Sequence, residues 1–197
     1  MRKMRVAVLI SGRGSNMEAL VKAAQAPDYP AEIVLVLANK EDATGLEIAR
    51  ALGVRAEAVA SKPYGRDREA HERAVDARLR EAGVELVCLA GYMRLLTPYL
   101  VRRWAGRMLN IHPSLLPAFP GLDTHQRAIE AGVGEHGCTV HLVTEGMDEG
   151  PVLGQARVPV LPGDTEDALA ARVLAQEHRL YPAMLAEQAR KILLSEG

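Results

Sequence analysis

The sequence contains few aromatic residues and few cysteines. Phe, Trp and Tyr make up 4% of its 197 residues, and there are 2 cysteines, Cys88 and Cys138. Both cysteines lie in apolar stretches without a C-x-x-C pair, which argues against a metal site and is typical of a protein from the reducing cytoplasm. The apolar run "VAVLI" near the N-terminus is too short for a signal peptide or a membrane span. These absences predict a cytoplasmic protein without a bound metal.

Neither sign of charge is in excess. The chain has 24 Lys and Arg residues against 25 Asp and Glu residues, for a net charge of -1. This balance gives no support for binding to nucleic acid or to a membrane, although a local basic pocket for a small anion stays open. Hydrophobic residues make up 48% of the chain, enough for a well-buried core. No repeat or linker divides the sequence, so we predict a single domain over residues 1–197.

Apolar runs alternate with helical patterns in the first half of the chain. The runs "VAVLI", "EIVLVLAN" and "VELVCLAG" are almost continuously apolar, as strands buried on both faces are. Between them, "SNMEALVKAAQ", "GLEIARALG" and "YGRDREAHERAVDARLREAG" have helical spacing, the last two ending at Gly53 and Gly83. This alternation predicts a doubly wound, mostly parallel α/β sheet of the Rossmann-like kind.

The second half of the chain has a different pattern. The stretch "RMLNIH" predicts a short strand and "THQRAIEAG" a helix, whereas "CTVHLV" and "VLGQARVPV" alternate as antiparallel or edge strands do. A long helical pattern begins at Thr165 and meets Pro182, which should kink the helix or start a second one. We therefore expect antiparallel strands and a long C-terminal helix after the parallel part of the sheet.

A glycine turn, "LISGRGSNMEAL", joins the first predicted strand to the first helix. Gly12 and Gly14 permit a tight turn, and Ser15 or Asn16 can cap the helix or bind an anion at its N-terminus. Met17 stands where a dinucleotide fingerprint needs a small residue, and no G-K-[ST] follows, so both nucleotide motifs are incomplete. The turn is then either a phosphate-sized anion site or a purely structural feature.

Polar side chains are concentrated in "LNIHPSLLPAFPGLDTH" and in the later turn "TEGMDEGPV". On a strand, Asn110 and His112 point to the same side, and Pro113 keeps His112 extended. Asp148 could fold back towards His112. An amide donor, an imidazole and a carboxylate suit acyl transfer to an amine without a covalent enzyme intermediate. The alternative is that all three residues are loop scaffolding.

Two further titratable residues, His71 and Glu177, can be explained without a functional role. His71 lies on the charged face of a predicted helix, where a solvated side chain is expected. Glu177, in the long final helix, either is solvated or reaches a hydroxyl or amino group of a ligand. The sequence alone favours solvation for both residues.

Several motifs together resemble one enzyme family. "ISGRGSN", "AGYMRLLTP", "LNIHPSLLPAFPG", "HGCTVHLVTEGMDEGPV" and "QEHRLYP" occur in the order found in the folate-dependent phosphoribosylglycinamide formyltransferases. The resemblance covers about residues 6–182. It implies a formyltransferase fold with a phosphate-binding half over about residues 1–106 and a folate-binding and catalytic half over about residues 107–197. The co-substrate it implies is 10-formyltetrahydrofolate, with glycinamide ribonucleotide as acceptor, no metal, and a monomeric or homodimeric enzyme.

The resemblance also assigns roles to individual residues. It implies that Asn110, His112 and Asp148 are catalytic. The ribonucleotide would contact Gly14, Ser15, Asn16, Arg68 and Glu177, and the folate would contact Met93, Arg94, Leu96, Val143 and Asp148. Asp123 stands where some members of the family carry His, so we give it no catalytic role.

Three other functions are alternatives to a glycinamide ribonucleotide formyltransferase. A 10-formyltetrahydrofolate hydrolase has a similar core but is expected to carry a preceding regulatory domain, and a methionyl-tRNA formyltransferase a following tRNA-binding domain. A non-catalytic nucleotide-binding module would need only the glycine turn. The combination of Asn110, His112 and Asp148 disfavours such a module, since binding alone requires none of them.

Overall fold

The computed structural model describes residues 2–197. Its strands are β1 (Met4–Ile10), β2 (Ala31–Ala38), β3 (Ala56–Ala58), β4 (Leu86–Leu89), β5 (Met108–His112), β6 (Glu135–Leu142) and β7 (Val152–Pro159). Its helices are α1 (Ser15–Ala24), α2 (Gly45–Ala51), α3 (Arg68–Glu81), α4 (Pro98–Arg103), α5 (Thr124–Glu130) and α6 (Glu166–Ser195), with a short 3₁₀ turn at Lys62–Tyr64.

The strands form one sheet in the order β3-β2-β1-β4-β5-β6-β7. β1 to β5 pair in parallel, whereas β6 pairs antiparallel with both β5 and β7. The predicted fold class is therefore confirmed, including the antiparallel strands and the long C-terminal helix. Because the order reverses between β1 and β4, the carboxyl ends of these two strands border a crevice.

Both faces of the central strands are buried, which explains their continuous apolar runs. Along β1, Val6, Val8 and Ile10 face a core shared with α1, α2, α5 and α6. Ala7 and Leu9 face the opposite core, which α3 and α4 cover. Successive side chains of a strand point to opposite faces, so a sheet covered on both sides needs apolar residues at every position.

Several local features differ from what the sequence predicts. The short β3 and α4 were not predicted, because three and six residues are too few to carry a clear period. α6 continues through Pro182 as a single helix, so no second helix starts there. Buried residues on both sides of the proline, Val173 and Leu185, hold the helix against the core. His71 is buried, not solvated, with its Nε2 2.7 Å from the carbonyl oxygen of Val59.

None of the helices within residues 2–197 combines the length and the apolarity that a membrane span requires.

Candidate active site

A cleft of about 330 Å³ opens at the carboxyl ends of β1 and β4. It is lined by residues 11–16 after β1, by Lys40 after β2, and by Ala90, Gly91 and Met93 after β4. These strands are neighbours in the sheet, so three separate connections meet at one place. In doubly wound sheets this edge is where ligands bind.

The glycine turn requires glycine at position 14 for two reasons. Gly14 has a φ of 67°, in the left-handed region, and it is the N-cap residue of α1. A Cβ atom there would lie 3.0 Å from Cγ2 of Ile10 and 3.2 Å from Cβ of Met17. Neither Ser15 nor Asn16 caps α1, because no side chain bonds to its first turn. The N–H groups at this helix end therefore lie at the cleft without a side-chain cap, an arrangement that favours an anion.

Asn16 and Glu177 form a buried pair beside the turn. Nδ2 of Asn16 donates to Oε1 of Glu177 at 3.0 Å, and the two residues are 9% and 7% exposed. The prediction that Glu177 is solvated is thus wrong. Burial raises the pKa of the Glu177 carboxyl, and the bond from Asn16 partly opposes this effect. Oδ1 of Asn16 is buried without a partner, so it can accept from a ligand hydroxyl or amide.

Lys40 is a residue of this cleft that the sequence did not reveal. It is exposed at the end of β2 and lines the cleft together with Arg13 of the glycine turn. The stretch "NKED" matches no motif. The available signal was topological, because Lys40 lies two residues after β2, the strand adjacent to β1. Two cations beside an uncapped helix N-terminus make this end of the cleft positive.

Asn110 is oriented by a histidine on the neighbouring strand. Asn110 and His141 face each other across β5 and β6, with Nδ2 of Asn110 3.4 Å from Nε2 of His141. Nδ1 of His141 lies 3.1 Å from the carbonyl oxygen of Leu142, which can only accept. Nδ1 therefore carries the proton and Nε2 accepts from Asn110. Burial lowers the pKa of His141, which keeps the ring in this neutral form and leaves the second N–H of Asn110 for a ligand.

Each ring nitrogen of His112 faces an oxygen atom. Its Nε2 lies 3.0 Å from the carbonyl oxygen of Phe119, so Nε2 donates a proton there. Its Nδ1 lies 3.7 Å from Oδ2 of Asp148, which also accepts from the backbone N–H of Gly121 at 3.0 Å. Both side chains are nearly buried, at 9% and 10% exposure. The carboxylate faces Nδ1 in a position suited to stabilise a positive charge on the imidazole.

Left-handed backbone is concentrated around His112. Among residues 2–197, the non-glycine residues with positive φ are Phe119 at 50°, Asp123 at 55° and Asp148 at 55°. Phe119 and Asp148 contact His112 directly. Such conformations cost free energy outside glycine and are common where a side chain must be aimed.

The loop after His112 is fixed by strand side chains as well as by its prolines. The hydroxyl of Thr139 donates to the carbonyl oxygen of Ser114 at 2.7 Å and accepts from the backbone N–H of Leu116 at 3.0 Å. Nε2 of Gln155 donates to the carbonyl oxygen of Leu116 at 2.8 Å. Sequence reasoning credited proline alone with this rigidity and missed Thr139 and Gln155, which lie on β6 and β7.

The residues expected to contact folate follow β4 or follow β6. Met93 is 66% exposed and its N–H donates to the hydroxyl of Ser11 at 2.7 Å, while Nη2 of Arg94 is buried without a partner. Leu96 and Val143 are half-buried against the core under α3 and α4. Arg68 is exposed at the first turn of α3 and is not among the described residues that line the cleft.

Comparison with known proteins identifies the family to which this arrangement belongs. The family model described as formyl transferase matches residues 4–185. The phosphoribosylglycinamide formyltransferase of Escherichia coli (strain K12) is 46% identical over 182 residues, covering 92% of this chain and 85% of that protein. The crystal structure of phosphoribosylglycinamide formyltransferase from Brucella melitensis has a TM-score of 0.91 and 56% identity, covering 95% of this chain and 96% of that one.

Larger relatives contain the same region. The trifunctional purine biosynthetic protein adenosine-3 of Gallus gallus is 49% identical over 183 residues, and the chain spans 18% of its length. The family model covers nearly the whole chain. Of the motif residues, Asn110 and His112 lie on β5, and Asp148 lies beside His112. The chain belongs to the formyl transferase family.

Proposed function

We propose that this chain transfers the formyl group of 10-formyltetrahydrofolate to the amino group of glycinamide ribonucleotide, a step of purine (IMP) biosynthesis. The observation that carries the proposal is the joint position of two sites at one sheet edge. Asn110 and His112 lie on β5, and the cationic cleft opens beside them after β1 and β4. Relatives of similar length bear the name phosphoribosylglycinamide formyltransferase.

The proposed reaction is a direct acyl transfer. The acceptor amine attacks the formyl carbon, a C–N bond forms, and the carbonyl oxygen becomes an oxyanion. The free N–H of Asn110 donates to that oxyanion, and positive charge on the imidazole of His112 stabilises it electrostatically. The bond from the formyl carbon to N10 of the folate then breaks, and the proton lost by the amine passes to N10. Asp148 stabilises positive charge on His112 and assists this proton movement.

The ribonucleotide would occupy the cleft after β1. Its phosphate would accept from backbone N–H groups at Gly14, Ser15 and Asn16, and Arg68 would approach it from α3. Glu177 and the unpaired Oδ1 of Asn16 would contact the ribose or the glycinamide. These contacts would use the uncapped N–H groups of α1 and the positive charge of Arg13 and Lys40 at this end of the cleft.

The folate would lie along Met93, Arg94 and Leu96, with the backbone from Val143 to Asp148 completing its pocket. A flat heterocycle with donors and acceptors suits backbone contacts of this kind. The buried, unpaired Nη2 of Arg94 is available to an acceptor oxygen of the co-substrate. We further propose a cytoplasmic monomer or homodimer that acts on small molecules and not on nucleic acid, in keeping with the net charge of -1.

The decisive experiment follows deformylation of 10-formyltetrahydrofolate with and without glycinamide ribonucleotide. We expect turnover only in the presence of the acceptor, with formylglycinamide ribonucleotide formed in equal amount. Equal turnover without acceptor would replace the transferase with a hydrolase. Binding of both compounds without any turnover would favour a non-catalytic module.

Lys40→Ala is expected to raise the KM for the ribonucleotide about fivefold, because an exposed ion pair contributes about 1 kcal/mol at most. Both kcat and the KM for the folate should stay unchanged. Lys22→Ala, which removes the same charge from α1 outside the cleft, is the matched control. Added salt should raise the wild-type KM more than that of Lys40→Ala. A KM equal to that of the control would exclude Lys40 from phosphate binding.

A further inference from the structure

Glu72 is a buried carboxylate outside the proposed catalytic residues. It lies on α3, is 3% exposed, and accepts three hydrogen bonds from the beginning of α4. The backbone N–H of Thr97 donates to Oε2 at 2.7 Å, and that of Leu100 donates to Oε1 at 3.3 Å. The Thr97 hydroxyl also donates to Oε1. A carboxylate with these donors is satisfied although it is buried.

These bonds replace the usual local cap of a helix. In a capping box, the N-cap side chain accepts from the N–H of the third helical residue, and a Glu at that position accepts from the N-cap N–H. Here Thr97 is the N-cap residue but makes no capping bond, and Leu100 is the third residue of the helix. Pro98 has no N–H to offer. Glu72 therefore takes both acceptor roles from a different helix.

The segment that α4 follows is the one proposed to bind folate. Residues 92–96 have no regular structure, and a second side chain holds their beginning. The Ser11 hydroxyl accepts from the N–H of Met93 at 2.7 Å and donates to Oδ1 of Asn39 at 2.6 Å. The segment is thus tied at Met93 by the glycine turn and at Thr97 by Glu72. Arg94, whose Nη2 is buried without a partner, lies between the two ties.

We propose that Glu72 is a positioning residue for the formyl donor, which fixes the course of residues 92–97 from beneath α4. This inference rests on the proposed function, since it takes these residues as the folate-binding segment. Loss of the carboxylate frees Thr97 and leaves two backbone N–H groups without their acceptor. The segment can then depart from the shape that contacts the folate, while the ribonucleotide end of the cleft keeps its own ties.

The test compares Glu72→Ala and Glu72→Gln with Asp76→Asn. Asp76 lies one turn further along α3, is also 3% exposed, and holds the other end of α4 by accepting from Nε1 of Trp104 at 2.9 Å. Asp76→Asn therefore perturbs the same helix pair without touching Thr97. Melting temperatures of all variants establish that they are folded, and KM and kcat are then measured for both substrates.

Glu72→Ala is expected to raise the KM for 10-formyltetrahydrofolate about tenfold, the loss typical of hydrogen bonds to a charged group. The KM for the ribonucleotide and kcat should remain near wild type. Glu72→Gln keeps one acceptor oxygen and should recover part of the loss, and Asp76→Asn should lower the melting temperature without changing either KM. Equal effects on both KM values, or equal effects of Glu72→Ala and Asp76→Asn, would overturn the inference. Absence of acceptor-dependent turnover in the wild type would instead overturn the proposed function, and this inference with it.

Discussion

Asp148→Asn is expected to lower kcat on the order of 10³-fold while the protein keeps its fold. Asn has the same shape as Asp, tolerates the left-handed backbone at this position, and can still accept from the N–H of Gly121. What it loses is the negative charge beside Nδ1 of His112. Positive charge on the imidazole is then no longer stabilised when the amine proton moves.

The adjacent Glu149 offers a matched control. It is exposed in the same turn, so Glu149→Gln removes one negative charge without reaching His112. We expect its kcat to equal that of the wild type. Steady-state rates at saturating concentrations of both substrates make the comparison, and a melting curve checks the fold. A kcat for Asp148→Asn within threefold of the control would remove Asp148 from the mechanism, since general acid–base catalysis contributes at least about 10²-fold.

The parts of the structure that follow from short-range pattern could be predicted from the sequence. Continuous apolar runs indicated β1, β2 and β4, and the period of two along a strand put Asn110 and His112 on one side. The turn with Asp148 was a reasonable candidate because Asn, His and Asp together suit one kind of chemistry. The inferences about the strands and about Asn110 and His112 need only neighbouring residues and a known geometry, whereas Asp148, far along the chain from His112, was proposed from its chemistry.

The parts that could not be predicted depend on contacts between distant residues. Asn16 and Glu177 are separated by 161 positions, and nothing around Glu177 distinguishes it from a solvated helix carboxylate. Glu72 is similar, because its helix has a strongly charged sequence and its donors come from α4, which was not itself predicted. Burial of a charged residue is decided by what packs over it, and one-dimensional patterns do not contain that information.

His141 is a third residue whose role depends on a contact with a distant residue, because it orients the amide of Asn110. Asn110→Ala should raise the activation barrier by about 3 kcal/mol, which lowers kcat on the order of 10²-fold, because it removes one oriented oxyanion donor. His141→Ala leaves the amide in place but frees its rotation, since Nε2 of His141 no longer accepts from Nδ2. We expect a loss of about tenfold for that variant, smaller than the loss of the donor itself.

The double variant separates orientation from an independent role. If His141 acts only by holding the amide of Asn110, then its removal has no further effect once that amide is gone. The loss in kcat for Asn110→Ala combined with His141→Ala should therefore equal the loss for Asn110→Ala alone, which makes the pair non-additive. If the loss in the double variant instead equals the product of the two single losses, His141 acts independently of Asn110, through the substrate or Asp148. Single-turnover rates are the right measurement, because they report the acyl-transfer step without product release.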